Sequence, residues 1–200
     1  MKIVFFGDSI TDAGRRREGP RDLGEGYVKI AAGKLRLLYP EIAFEFLNRG
    51  VSGESTAELL ARTDDAIKES PDVVVLQAGI NDVWQRFTRG RTVTEEEFRA
   101  NYRALVETFT AAGAKVILLE PFLLPAADKQ RLRLQLNAFN AIIREIAREK
   151  NLALIPADEI FAGVTQDISP DKFAHDGIHP THRGCRYLAD LVIKELKKIL

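Results

Sequence analysis

The sequence predicts a three-layer α/β/α sandwich on a five-stranded parallel sheet, and three observations lead there. Short, largely apolar runs recur along the chain, longer stretches of helical periodicity separate them, and turn residues bound most of the runs. Strands that alternate with helices need crossover connections, which give a parallel sheet covered on both faces. The 200 residues, 46% hydrophobic, suit one domain over 1–200 with a sizeable core. The chain carries no internal repeat, no low-complexity tract and no linker long enough to separate a second domain.

The elements follow in order. A strand at 3–6 (Ile-Val-Phe-Phe) is cut off by Gly7 and Asp8, and a helix is predicted over 26–38. A strand at 43–47 precedes a helix over 55–68 opened by Ser55. After a strand at 73–76, the helix over 94–112 starts with Thr94 followed by Glu95, Glu96 and Glu97, a capping-box arrangement whose acids also complement the helix dipole. Gly113 suits its left-handed stop. A strand at 116–119, a helix over 128–150 and a strand at 152–155 come next. In the last helix, 182–199, Leu188, Leu191, Val192, Leu196 and Ile199 recur mostly three and four residues apart, while Lys194, Glu195, Lys197 and Lys198 make a solvated face.

Charge and cysteine content restrict the partners. Lys+Arg and Asp+Glu both total 29, so no uncompensated field attracts nucleic acid or anionic lipid, and a small, roughly neutral molecule is the expected partner. The single cysteine, Cys185, forms no disulfide within the chain and offers no thiolate cluster for a metal. The four-residue apolar run at the N-terminus is too short for a signal-peptide core, and no segment approaches the roughly 20 apolar residues of a membrane span. The expectation is a cytoplasmic protein that binds neither nucleic acid nor membrane.

In a doubly wound sheet, ligands bind beyond the carboxyl ends of the strands, so the residues that follow each strand carry the chemistry. Gly7-Asp8-Ser9-Ile10-Thr11-Asp12 places a serine at a strand-to-helix turn, where backbone donors and a helix dipole favour negative charge. The same residues also fit an ordinary helix cap, and the segment departs from the Gly-x-Ser-x-Gly elbow. Asn48-Arg49-Gly50-Val51-Ser52-Gly53-Glu54-Ser55 pairs two glycines that allow close approach of main chain to a ligand, or simply form a loop. Gly79-Ile80-Asn81-Asp82 offers an amide donor, or a plain turn. In Asp176-Gly177-Ile178-His179-Pro180, a carboxylate three residues before a histidine can turn back onto its Nδ1–H, and a surface histidine ahead of a helix is the alternative. His175 and His182 lie close by, but no second group of ligands stands at metal spacing, so no metal site is expected.

Together and in this order, the four blocks resemble the SGNH hydrolases, also called GDSL esterases. The resemblance runs from Lys2 to the final helix and implies a flavodoxin-like fold. It implies that Ser9 Oγ attacks an ester carbonyl to form an acyl-enzyme, that His179 serves as base and then acid, and that Asp176 orients His179. It further implies an oxyanion hole from the Ser9 and Gly53 backbone N–H groups and the Asn81 side chain, and no cofactor. Members of such branches often assemble, so a homo-oligomer is expected from the resemblance alone.

The stretches 7–16, 23–28 and 79–84, with Pro121-Phe122, are similar to a branch containing intracellular acetyl-xylooligosaccharide esterases. Trp84, Tyr27 and Phe122 offer flat apolar surfaces for sugar rings, although core packing explains such rings as well. Asp8 and His175 complete the candidate substrate-binding set; His175 stands where the branch often has a tryptophan. Arg15, Arg16, Arg17 and Arg21 raise the alternative of an anionic substrate, as for a lysophospholipase or acyl-CoA thioesterase, but Glu18, Asp22 and Glu25 balance them. A non-catalytic carbohydrate-binding protein on the same fold is a further alternative, disfavoured because no triad or oxyanion residue is missing.

Overall fold

The structure is a computed structural model that describes residues 1–17, 19, 22–126 and 129–200. Its elements are β1 Lys2–Gly7, α1 Ser9–Asp12, α2 Tyr27–Leu38, β2 Glu45–Gly50, α3 Thr56–Leu60, α4 Asp64–Ile67, β3 Val73–Gln77, α5 Ile80–Thr88, α6 Glu95–Ala111, β4 Lys115–Leu119, α7 Arg133–Glu149, β5 Ala153–Ile155, α8 Ala157–Val164 and α9 His182–Leu196, with single 3-10 turns at Gln130–Leu132 and Pro170–Lys172. The five strands pair in parallel in the order β2-β1-β3-β4-β5. This is the predicted sandwich, and strand order reverses between β1 and β3, the crevice where doubly wound sheets bind ligands.

β1 shows why the central strands carry apolar runs rather than strict alternation. Phe5 meets Tyr27 of α2 edge-on at 5.8 Å, while Phe6 meets Phe109 of α6 at 5.1 Å, so successive side chains enter opposite helix layers. One layer joins α2 to α9; the other joins α6 to α3 and α7. Burial of such rings removes the most apolar area per residue from water, ~25 cal/mol per Å².

Several expectations shift. β2 runs Glu45–Gly50, later than the predicted 43–47, which extends it to the glycine facing Gly7 across the sheet. The predicted helix 55–68 is two helices, α3 and α4, broken around Arg62. Arg62 turns inward to donate to Arg49 O (2.9 Å), pairs with Glu54 and covers the Phe6 ring at 4.4 Å. The helix predicted from 128 begins as α7 at Arg133 after the 3-10 turn; Asp128 lies outside the described residues. α1, α5 and α8 were not predicted. The Thr94 cap is present, its Oγ1 accepting from Glu97 N–H at 3.1 Å, and Gly113 takes φ +86°. Among the described residues no helix is long and apolar enough to cross a membrane.

Candidate active site

The loops after β1, β2 and β3 and the segment before α9 meet at one edge of the sheet. Gly7 ends β1 where a Cβ would stand 2.4 Å from Gln77 O, so only glycine lets β1 and β3 close there. Asp8 then caps the one-turn α1, its Oδ1 accepting from Ile10 N–H at 3.0 Å, and Ser9 is the first residue of that turn. Asn48 ties the turn down by donating to Thr11 O (2.7 Å) and Leu23 O (2.9 Å).

Ser9 Oγ donates to His179 Nε2 at 3.0 Å, and His179 Nδ1–H donates to Asp176 Oδ2 at 2.7 Å. Asp176 Oδ1 also accepts from the backbone N–H groups of Ile178 (3.0 Å) and His179 (2.7 Å). The tight turn between them needs Gly177, which has φ +82° and passes 2.7 Å, measured from its missing Cβ, from Leu124 O. Burial of Asp176 opposes its charge, but the hydrogen bonds from the His179 side chain, the His179 N–H and the Ile178 N–H outweigh it and hold the carboxyl below its ordinary value. The arrangement can therefore take a proton from Ser9 Oγ onto His179 while Asp176 stays ionised beside the imidazolium. The relay is open to solvent: the His179 and Asp176 side chains are 58% and 41% exposed.

Gly53 lies in the loop after β2 with φ +86°. That loop is held from three sides. Asp12 Oδ2 accepts from Ser52 N–H at 3.0 Å, Asn81 Nδ2 donates to Glu54 O at 3.0 Å, and Asp82 accepts from Thr56 N–H (3.0 Å) and Thr56 Oγ1 (2.5 Å). The Asn81 amide carries a second hydrogen, and Asn81, Gly53 and Ser9 line one cavity of about 410 Å³. Asn81 lies in the first turn of α5, which begins after Gly79, whose φ of +130° and contact of a would-be Cβ with Pro121 at 3.0 Å admit no side chain without strain.

The rest of that cavity is a face of α5. Trp84, Gln85, Thr88 and Arg89 line it, spaced one and two turns beyond Asn81, with Lys129 opposite and its ammonium 4.7 Å from the Trp84 ring centre. Glu58 braces this wall: it completes a capping box with Ser55 and accepts from Gln85 Nε2 (3.1 Å) and Arg89 Nη1 (2.6 Å). Sequence reasoning singled out none of Gln85, Thr88, Arg89, Lys129 and Glu58. The signals present were the i, i+3, i+4, i+7 pattern from Asn81 and the Ser-x-x-Glu box at 55–58.

Of the five expected substrate contacts, Trp84 alone lines the cavity; three of the others are buried and the fourth, His175, lies outside it. Tyr27 and Phe122 are wholly buried, Tyr27 bonding Thr11 Oγ1 at 3.1 Å and Phe122 packing on Phe161 at 4.6 Å, so neither ring offers a face to a ligand. Asp8 is also sealed beneath the nucleophile, where its second oxygen accepts from Gln77 Nε2 at 3.2 Å and burial pushes its carboxyl up to about 7. His175 is exposed and outside the cavity lining, whereas Trp84 is in it. Arg15 is largely buried and donates to Gly50 O at 2.9 Å, and Arg17 pairs with Asp12 at 3.3 Å. Glu18 and Arg21 lie outside the described residues. Among the described residues no group of three His, Cys, Asp or Glu side chains is placed to hold a metal.

Residues 5–187 match the GDSL-like lipase/acylhydrolase family. The acetylxylan esterase of Geobacillus stearothermophilus is 33% identical over 204 residues, 98% of this chain and 93% of that protein. Its crystal structure superposes with a TM-score of 0.89 at 32% identity, covering 97% of this chain and 93% of that one. Structures of variants of that esterase, with a serine, an aspartate or a histidine replaced by alanine, are described as catalytic mutants. Thioesterase 1/protease 1/lysophospholipase L1 of Escherichia coli (strain K12) is 27% identical over 157 residues, 77% of this chain and 68% of that one.

Proposed function

The chain belongs to the GDSL-like lipase/acylhydrolase family and is a carboxylic ester hydrolase, and on that premise we propose that it removes acetyl groups from short xylose-based saccharides through an acyl-enzyme on Ser9. The observation that carries the reading is the continuous relay from Ser9 Oγ through His179 to Asp176. In the first half-reaction His179 takes the Ser9 proton as Oγ attacks, then gives it to the departing sugar oxygen. In the second it activates a water that releases acetate and regenerates Ser9. The Ser9 and Gly53 N–H groups and the Asn81 amide hold the oxyanion of both tetrahedral intermediates.

Acetate esters of saccharides are favoured over long acyl chains by the cavity's own chemistry. Trp84 gives one aromatic surface, and Gln85, Thr88, Arg89 and Lys129 give hydrogen-bonding partners for hydroxyls rather than an apolar trough. The same reading sets the protein in the cytoplasm, which the buried lone thiol of Cys185 suits, and expects copies to associate, as size-exclusion chromatography would register. The test of substrate is kcat/KM on acetylated xylooligosaccharides against lysophosphatidylcholine and an acyl-CoA. Preference for the saccharide esters is the expected outcome, and preference for either of the others overturns the proposal.

A further inference from the structure

Ser9, Ser52 and His179 border two depressions rather than one. The first is the Trp84-lined cavity, of about 410 Å³. The second, of about 380 Å³, is walled by Ala13, Gly14, Glu25, Gly26 and Pro180 with Cys185. The two share only those three residues, so the serine hydroxyl stands on the divide between them.

Size and chemistry decide what two flanking grooves are for. An acetyl group has two carbons and needs neither groove, while each is within the roughly 300–1,000 Å³ range of small-molecule sites. Gly53 and Asn81, assigned to the oxyanion, line the first groove and not the second, whereas His179, assigned to protonate the leaving alcohol, borders both. An alcohol leaving at His179 therefore has room on both sides. The second groove is built to stay open. Gly14, at φ +74°, has none of the described residues within 4 Å of where a Cβ would sit. Glu25 projects with its side chain 79% exposed, a carboxylate able to accept from sugar hydroxyls beside its pairing with Lys29 at 2.8 Å.

Resting on the acetyl-saccharide reading above, we propose that a saccharide chain lies across this divide, with the acetylated ring over Ser9 and sugars on both sides. The enzyme then acts on acetyl groups of internal rings in preference to those of chain ends.

The test measures kcat/KM of the whole protein on p-nitrophenyl acetate, on xylotriose acetylated only on its middle ring, and on xylotriose acetylated only on its non-reducing terminal ring. The wild type should prefer the middle-ring ester by about tenfold, as for one or two added sugar hydrogen bonds. Glu25→Trp, a solvent-facing change that fills the second groove, should erase most of that preference. Gly14→Asn, which tolerates the left-handed backbone, should lower it in the same direction. Equal rates on the two xylotriose esters in the wild type, or an undiminished middle-ring preference in both variants, overturns the divide. Turnover of p-nitrophenyl acetate with none on either xylotriose ester overturns the acetyl-saccharide reading itself, and the divide with it.

Discussion

The two halves of the site are built on opposite terms. On the side of Gly53 and Asn81, a short loop is held by buried carboxylates at Asp12 and Asp82 and by the Asn81 amide, with Glu58 bracing the helix behind it. On the other side, the Asp176–His179 pair is partly open to solvent. The carboxyls show the contrast most plainly. Asp8, sealed under Ser9, is pushed up to about 7 by burial, while hydrogen bonds hold Asp176, at the surface, below its ordinary value. Donors that receive a developing charge gain by being fixed before it appears. A base that must shuttle protons between serine, alcohol and water gains by being reachable.

The comparison can be broken from either side. The largest effect belongs to the open side: Ser9→Ala or His179→Ala should lower kcat on p-nitrophenyl acetate by about 10⁴-fold or more. Rates equal to wild type would remove the relay from the mechanism. On the fixed side, Asn81→Ala should lower kcat by about 10²–10³-fold with little change in KM. A change confined to KM would make Asn81 a substrate contact rather than an oxyanion donor.

A smaller loss should follow from loosening the loop without touching a donor. Asp82→Asn exchanges one of the acceptor oxygens that hold Thr56, and kcat should fall about tenfold for a buried hydrogen bond worth ~1–3 kcal/mol. Restoration of the rate by Asp82→Glu would tie the effect to the carboxylate rather than to space. The mildest consequence concerns stability. The Asp8 carboxyl is raised from 3.8 to about 7 in the folded protein, so folding retains a proton that the unfolded chain releases. The stability tied to that proton is full below pH ~4 and is lost as pH rises through about 7. Asp8→Asn does not titrate, so urea unfolding at pH 5 and pH 8 should find wild type losing more stability than the variant over that interval. An identical pH dependence would mean that Asp8 is not held protonated.

The sheet and its longer helices were legible because strand and helix periods differ and because caps such as Thr94 mark helix starts. The blocks around Ser9, Gly53, Asn81 and Asp176–His179 were legible because each follows a strand or precedes the last helix. What stayed hidden had local reasons. α1 is one turn long and carries no period, and α5 turns a polar face to the cavity, so its pattern is not that of a core helix. Tyr27 and Phe122 were misplaced because an aromatic ring in a sequence does not say whether it faces the core or a ligand. The bracing by Glu58, Asp12 and Asp82 depends on contacts between segments far apart in the chain, which no local pattern encodes.

In the proposed mechanism α5 carries both kinds of residue: Asn81, assigned to the oxyanion, and Trp84, Gln85, Thr88 and Arg89, assigned to whatever the ester is attached to, all lining one cavity. Each helical residue turns the face by ~100°, so one inserted or deleted position between Asn81 and Thr88 would swing the wall away while leaving the donor where it is. Substitutions along that helix would therefore retune what the cavity accepts, whereas a change in the count would dismantle its wall. A Cβ at Gly79 would stand 3.0 Å from Pro121 and 3.3 Å from Phe98, so a side chain added there would crowd the start of the same helix.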